Sequence, residues 1–146
     1  MQLALGRKEA YSVEIVMHLA EAPPGVLTKA REVASAVRVP PRYLPQILAD
    51  LVRARILIAK AGREGGYRLA RDAAEITLLD VVEAAGAVIE DEDRRDGRDP
   101  RSARTSALAH EWSGVRHRLS LELRGTRITD LNAAVRALAS EASPAS

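Results

Sequence analysis

Two proline breaks, APPG at residues 22–25 and VPP at 39–41, divide the start of this chain into three short segments. Proline lacks a backbone donor and cannot continue a helical ladder, so no helix crosses either break. Each segment is amphipathic with helical spacing. Over residues 4–21 the apolar stripe is Tyr11, Ile15, Val16 and Leu19. Over 29–38 it is Ala30, Val33, Ala34 and Val37, with Thr28 placed to cap the helix. Over 41–54 it is Leu44, Ile47, Leu48, Leu51 and Val52. Pro41 suits the first position of that third helix, whereas Pro45 forfeits one backbone bond near the end of the first turn.

A different pattern follows. The partly β-branched runs RILIAK and GYRLAR flank a glycine-rich tip at residues 61–65, which is the pattern of a hairpin. The tip is not a phosphate-binding P-loop, because no Lys-Ser/Thr follows it and a second strand does. It is not a dinucleotide fingerprint either, since Gly62, Gly65 and Gly66 have the wrong spacing and no helix opens after them. Three helices and a hairpin, in that order, are the plan of a winged helix-turn-helix. Arg63 at the tip and Lys60 at its base could reach phosphates or a minor groove, and Gly65 and Gly66 allow a close backbone approach. Arg42, Tyr43 and Gln46 lie at the start of the third helix, off its apolar stripe, where a recognition helix meets base edges. Taken singly, each feature is equally that of an exposed hairpin and an ordinary helix surface.

Beyond the hairpin, EITLLDVVEAAG at 75–86 reads as a helix, with Thr77 and Asp80 as a capping box and Gly86 as its stop. The mixed-charge run at 90–104 has no apolar residue before Ala103 and reads as a solvated loop. A helix resumes over 105–124, where Leu108, Trp112, Val115, Leu119 and Leu123 form a line close to a coiled-coil seam. A short helix in RITDLNAAVRALA, capped by Thr129, precedes a polar tail. The expected organisation is a winged helix-turn-helix at 1–86, a charged, flexible loop at 87–104, dimerisation helices at 105–139 and a tail at 140–146. The fold class is mainly α with a small β-hairpin wing and a long C-terminal dimerisation helix. The alternative for that helix is packing back on its own domain.

Composition narrows the function. The chain has 146 residues and no cysteine, which excludes disulfides, thiol redox chemistry and cysteine-ligated metal sites. Phenylalanine is absent, so the core must be aliphatic. No apolar run approaches membrane-spanning length and no signal peptide is visible, so the expected compartment is the cytoplasm. No HExxH, G-x-S-x-G or other catalytic arrangement occurs, and no catalytic residue is assigned. His110 and His117 would share a helix face, but the nearby carboxylates belong to a solvated charge run, and no metal ligand is assigned. Residues 1–72 carry a net charge of +5 and residues 73–146 a net charge of −3. The basic half, which holds the tip, suits a polyanionic partner.

Taken together, the motifs resemble the Rrf-two family of bacterial transcriptional regulators. The resemblance rests on Tyr43-Leu44 in the third helix, Gly65-Gly66-Tyr67 with Leu69-Ala70 in the wing, and the Ile76-Thr77-Leu78-Leu79-Asp80-Val81 helix start. RKEAYSVEIVMHLA near the start and ITDLN near the end also match, so it covers residues 3–133. It implies a homodimeric winged-helix protein that binds double-stranded DNA. Arg42, Tyr43 and Gln46 would read the major groove, and Arg63 with its glycines would enter the minor groove. Lys8 and Thr28 would contact phosphates, and the long helix would form the dimer interface. Three departures stand out. Many members place three cluster-ligating cysteines before the long helix, where this chain has EDEDRRDGRDPRSARTS. Pro45 replaces a helix former, and Ala61 stands where the wing commonly begins with Arg, leaving that role to Lys60 or Arg63. The resulting expectation is a repressor without an iron–sulfur cluster or other cofactor, its small-molecule or protein effector left open. The alternative is a winged-helix protein-interaction module, or a ligand- or metal-responsive regulator whose DNA binding needs an effector or partner.

Overall fold

The computed structural model describes residues 5–87 and 103–143. Helices α1 (Arg7–Ala20), α2 (Ala30–Val37) and α3 (Leu44–Arg53) are followed by strands β1 (Leu57–Lys60) and β2 (Gly66–Leu69). Helices α4 (Leu78–Ala84), α5 (Ala103–Gly125) and α6 (Ile128–Glu141) complete the chain. This is the winged helix-turn-helix order with a two-stranded antiparallel wing. The 87–104 loop expected from the charge run lies, apart from its ends, outside the described residues.

The proline breaks fall where expected, but the starts of α2, α3 and α6 shift. Thr28 does not cap α2, because its carbonyl accepts from Tyr67 N–H instead of opening the helical ladder. The N-cap is Lys29, whose backbone N–H donates to Glu32 Oε2 at 2.8 Å. Pro40 and Pro41 form a turn, with Tyr43 N–H donating to the Pro40 carbonyl at 3.0 Å, so α3 begins at Leu44, three residues after the Pro41 expected at its first position. Pro45 therefore sits in the first turn, where backbone donors have no intrahelical acceptor, and forfeits nothing. At α4 the expected capping box is present in both directions, Asp80 N–H to Thr77 Oγ1 at 3.1 Å and Thr77 N–H to Asp80 Oδ2 at 3.0 Å. At α6 the cap is Arg127 rather than Thr129, and Asp130 accepts its N–H at 2.9 Å.

The core is aliphatic. Ile15, Val16, Val33, Leu51, Ile76, Val81 and Ile128 are fully buried, and together they sample six segments of the chain. Helix α1 lies at the centre, in contact with α2, α3, α4, α6 and β2. The buried polar groups are satisfied: Ser12 Oγ donates to the Lys8 carbonyl at 2.7 Å, and Asn132 Nδ2 to the Met17 carbonyl at 3.2 Å. The starts of α4 and α6 lie side by side, joined by Ile128 N–H to the Ile76 carbonyl at 3.0 Å and Leu78 N–H to the Thr126 carbonyl at 2.8 Å. At 23 residues, α5 is about 35 Å long, and it packs against α4.

Two helices end in the same Schellman geometry with different residues at the left-handed position. After α4, Gly86 has φ +100°, and Ala87 N–H reaches the Val82 carbonyl at 3.0 Å. After α3, Arg55 has φ +60°, and Ile56 N–H reaches the Leu51 carbonyl at 3.0 Å. A side chain in this conformation costs about 1–2 kcal/mol, partly offset because glycine loses more backbone entropy on folding. Arg55→Gly is therefore expected to raise the unfolding free energy by about 0.5–1 kcal/mol, measured by urea denaturation with an unchanged m-value.

Candidate nucleic-acid interface

The apolar stripe of α3 fixes what its other side can present. Leu44, Ile47, Leu48 and Leu51 are buried, which leaves Arg42, Tyr43 and Gln46 exposed at the start of the helix. Tyr43 stacks on Tyr11 of α1 with ring centroids 6.4 Å apart. The Arg42 guanidinium lies 4.7 Å from the centre of the Tyr43 ring and donates to its hydroxyl at 2.9 Å. A planar cation over an electron-rich ring is held without losing its charge.

The next turn carries a hub that sequence reasoning missed. Asp50, 8% exposed, accepts from Gln46 Nε2 at 2.9 Å and from Arg53 Nη1 at 3.0 Å through one oxygen. Its other oxygen pairs with Lys8 Nζ at 2.7 Å. The Lys8 hydrogen bond holds the Asp50 carboxyl below the usual carboxylate range, helped by Gln46 and by the Lys8 and Arg53 charges, against the opposing effect of burial. Gln46, Asp50 and Arg53 are spaced four and three apart, so the helical part of the hub was legible in principle. Lys8, on another helix, was not. Arg7, Lys8, Tyr11, Tyr43, Gln46 and Ile47 line an open pocket of about 240 Å³.

The wing is held from below. Strands β1 and β2 pair from Leu57 opposite Leu69 to Lys60 opposite Gly66. Tyr67 exchanges two backbone hydrogen bonds with Thr28, each 2.9 Å, so the segment before α2 serves as a third strand position. Gly65 and Gly66 are buried. A Cβ on Gly65 would stand 2.0 Å from the Lys60 carbonyl oxygen, and one on Gly66, at φ +152°, 2.7 Å from that of Thr28. Their close backbone approach is thus made to this protein's own chain. Lys60 and Arg63 are exposed at the base and tip. Lys29 Nζ donates to the carbonyls of Gly62 and Arg63, tying the tip to the start of α2. That contact spans 34 residues and left no local signal.

The line expected along α5 divides. Leu108 is 69% exposed, and Trp112 and Val115 are also exposed. Leu119 is half-buried, and Leu123 packs against the core of its own chain. On α6, Val135 and Leu138 add further exposed apolar surface.

Three short helices, a wing tied to the second of them, and an exposed polar end on the third define a winged helix-turn-helix DNA-binding protein. Residues 5–134 match the family model Rrf2, described as iron-dependent transcriptional regulators, and the chain belongs to that family. The family is one of transcriptional regulators, not of enzymes. A Mycobacterium tuberculosis protein named HTH-type transcriptional regulator Rv1287 is 33% identical over 130 residues, covering 88% of this chain and 81% of its own. Among solved structures, the global cysteine regulator CymR of B. subtilis superposes with a TM-score of 0.72 at 22% identity, over 91% of this chain and 98% of its own. The T. potens IscR structure gives 0.71 at 21% identity, over 92% and 90%.

The Asp50 hub makes a pH prediction. A carboxyl whose folded pKa lies below its unfolded value near 4 stabilises the fold above that value, and the stabilisation is lost as pH falls through the folded pKa. Wild type is expected to be more stable than Asp50→Ala at pH 7, with the gap closing below about pH 4. Urea midpoints of both proteins across pH 2.5–7 measure it.

Proposed function

We propose that this protein is a homodimeric, cytoplasmic repressor that reads double-stranded DNA without an iron–sulfur cluster. The observation that carries the reading is the two-sided α3. Its apolar side is locked into the core, and its exposed N-terminal end offers Arg42, Tyr43 and Gln46 to a groove. Arg and Gln carry the donor and acceptor sets that base edges recognise. Lys60 and Arg63 on the wing add positive charge for phosphates or a minor groove. Thr28, whose backbone is occupied by Tyr67, can contribute only its side chain.

Dimerisation is supported by Leu108, Trp112 and Val115, exposed large apolar side chains on α5. A second copy would cover them and place two reading heads on one duplex. Occluding a promoter requires only those heads and the arm that joins them, which favours repression. The family's description carries iron, but a thiolate-ligated cluster does not fit, because none of the 146 residues is cysteine. Nor do the described residues bring together three His, Asp or Glu side chains that could hold a metal ion.

The test is fluorescence anisotropy of metal-free protein on the duplex upstream of its own gene and on a scrambled duplex, across a salt series. Selective binding that weakens steeply with salt is the expected result. Equal binding to both duplexes, insensitive to salt, would favour a protein-interaction module. Arg63→Ala is expected to weaken binding several-fold and to lower the slope of log K against log salt by about one, with the melting temperature unchanged. Trp112→Asp is expected to shift the dimer toward monomer in light scattering, and an intact dimer would remove the arm from the interface.

A further inference from the structure

A carboxylate beside side chains proposed to meet DNA calls for a reason, since alone it would repel phosphates. Asp50 is not alone. One of its oxygens takes Lys8 at 2.7 Å, and the other takes Gln46 at 2.9 Å and Arg53 at 3.0 Å. One negative charge thus stands among two positive ones and a neutral amide, and the trio of charged groups remains net positive.

We propose that Asp50 is a positioning residue for sequence reading, whose carboxylate fixes the Gln46 amide and thereby sets the base preference at the position Gln46 contacts. The inference rests on the DNA-reading role of α3 proposed above. A free glutamine has three rotatable bonds that must be frozen when it binds. Here the side chain is ordered before DNA arrives. The carboxylate also decides which way the amide faces, because the flipped amide would set two oxygens against each other. With one amide hydrogen committed to Asp50, Gln46 retains its oxygen and a second hydrogen. One acceptor and one donor side by side match the N6 and N7 edge of adenine. Lys8 is held by the same carboxylate, which places an ammonium group next to the reading amide.

A purely structural role, joining α1 to α3, predicts a different result, and base preference separates the two. The full-length protein and its Gln46→Ala, Asp50→Ala and Asp50→Asn variants are each presented with a pool of randomised duplexes, and the bound fraction is sequenced. Gln46→Ala marks the motif position that Gln46 reads. Asp50→Ala is expected to lose about tenfold in preference at that position, the scale of one bidentate base contact. Its affinity for a scrambled duplex, measured by anisotropy, is expected to hold or rise as Lys8 and Arg53 are released. Asp50→Asn is expected to keep most of the preference, since its amide oxygen can still accept from Gln46. If Asp50→Ala does not fold by circular dichroism, Asp50→Ser, too short to reach Gln46, replaces it. A wild-type motif that survives unchanged in the Ala or Ser variant overturns the inference and leaves the DNA-reading proposal standing. An Asn variant as degenerate as the Ala variant overturns the role of the accepting oxygen. A wild-type protein that selects no motif removes the DNA-reading proposal and this inference with it.

Discussion

The burial of Ile15, Val16 and Leu19 on α1 is the contact on which the other elements depend. Helices α2, α3, α4 and α6 and strand β2 all touch α1, so each finds its place against one surface. Because phenylalanine is absent, branched aliphatic side chains must interlock to fill that space. Each fully buried Ile, Leu or Val contributes about 1.5–3 kcal/mol of transfer free energy. That gain is large enough to hold short helices, such as the eight-residue α2, that would not persist alone.

The same helix also serves the candidate interface. Toward the core, α1 supplies Ile15 and Val16. On another side it supplies Lys8 and Tyr11, which meet Asp50 and Tyr43 of α3. The exposed start of α3 is therefore braced from both directions, by apolar packing beneath and by a stacked ring and an ion pair beside it. The wing is braced in a similar manner, by the Thr28–Tyr67 bridge and the Lys29 side chain.

What could be read in advance follows the range of the forces involved. The prolines, the 3.6-residue periodicities, the Thr77–Asp80 capping box and the Gly86 stop act over a few residues, and they located the helices and the hairpin. The starts of α2, α3 and α6 were misplaced for a local reason as well. Glu32 and Asp130 cap through backbone donors of residues with no capping side chain, and two adjacent prolines made a turn where one could have begun a helix. The hub at Asp50 joins residues 8 and 50, and the Lys29 tether joins α2 to the wing tip. Such contacts have no periodicity to betray them. Gly65 and Gly66 show the converse: their need for a close approach was visible, but the surface approached was not.

The clasp between the beginnings of α4 and α6 has a consequence for how the molecule could measure distance. Ile128 is sunk in the core, Asn132 grips the Met17 carbonyl, and Arg136 meets Glu21 at 3.4 Å, so α6 is fastened to α1. Helix α5 is thus anchored at its C-terminal end to the same body that carries α3. In a symmetric pair joined through α5, the gap between the two reading ends would be set by solid geometry, as in a calliper, rather than by the reach of a tether.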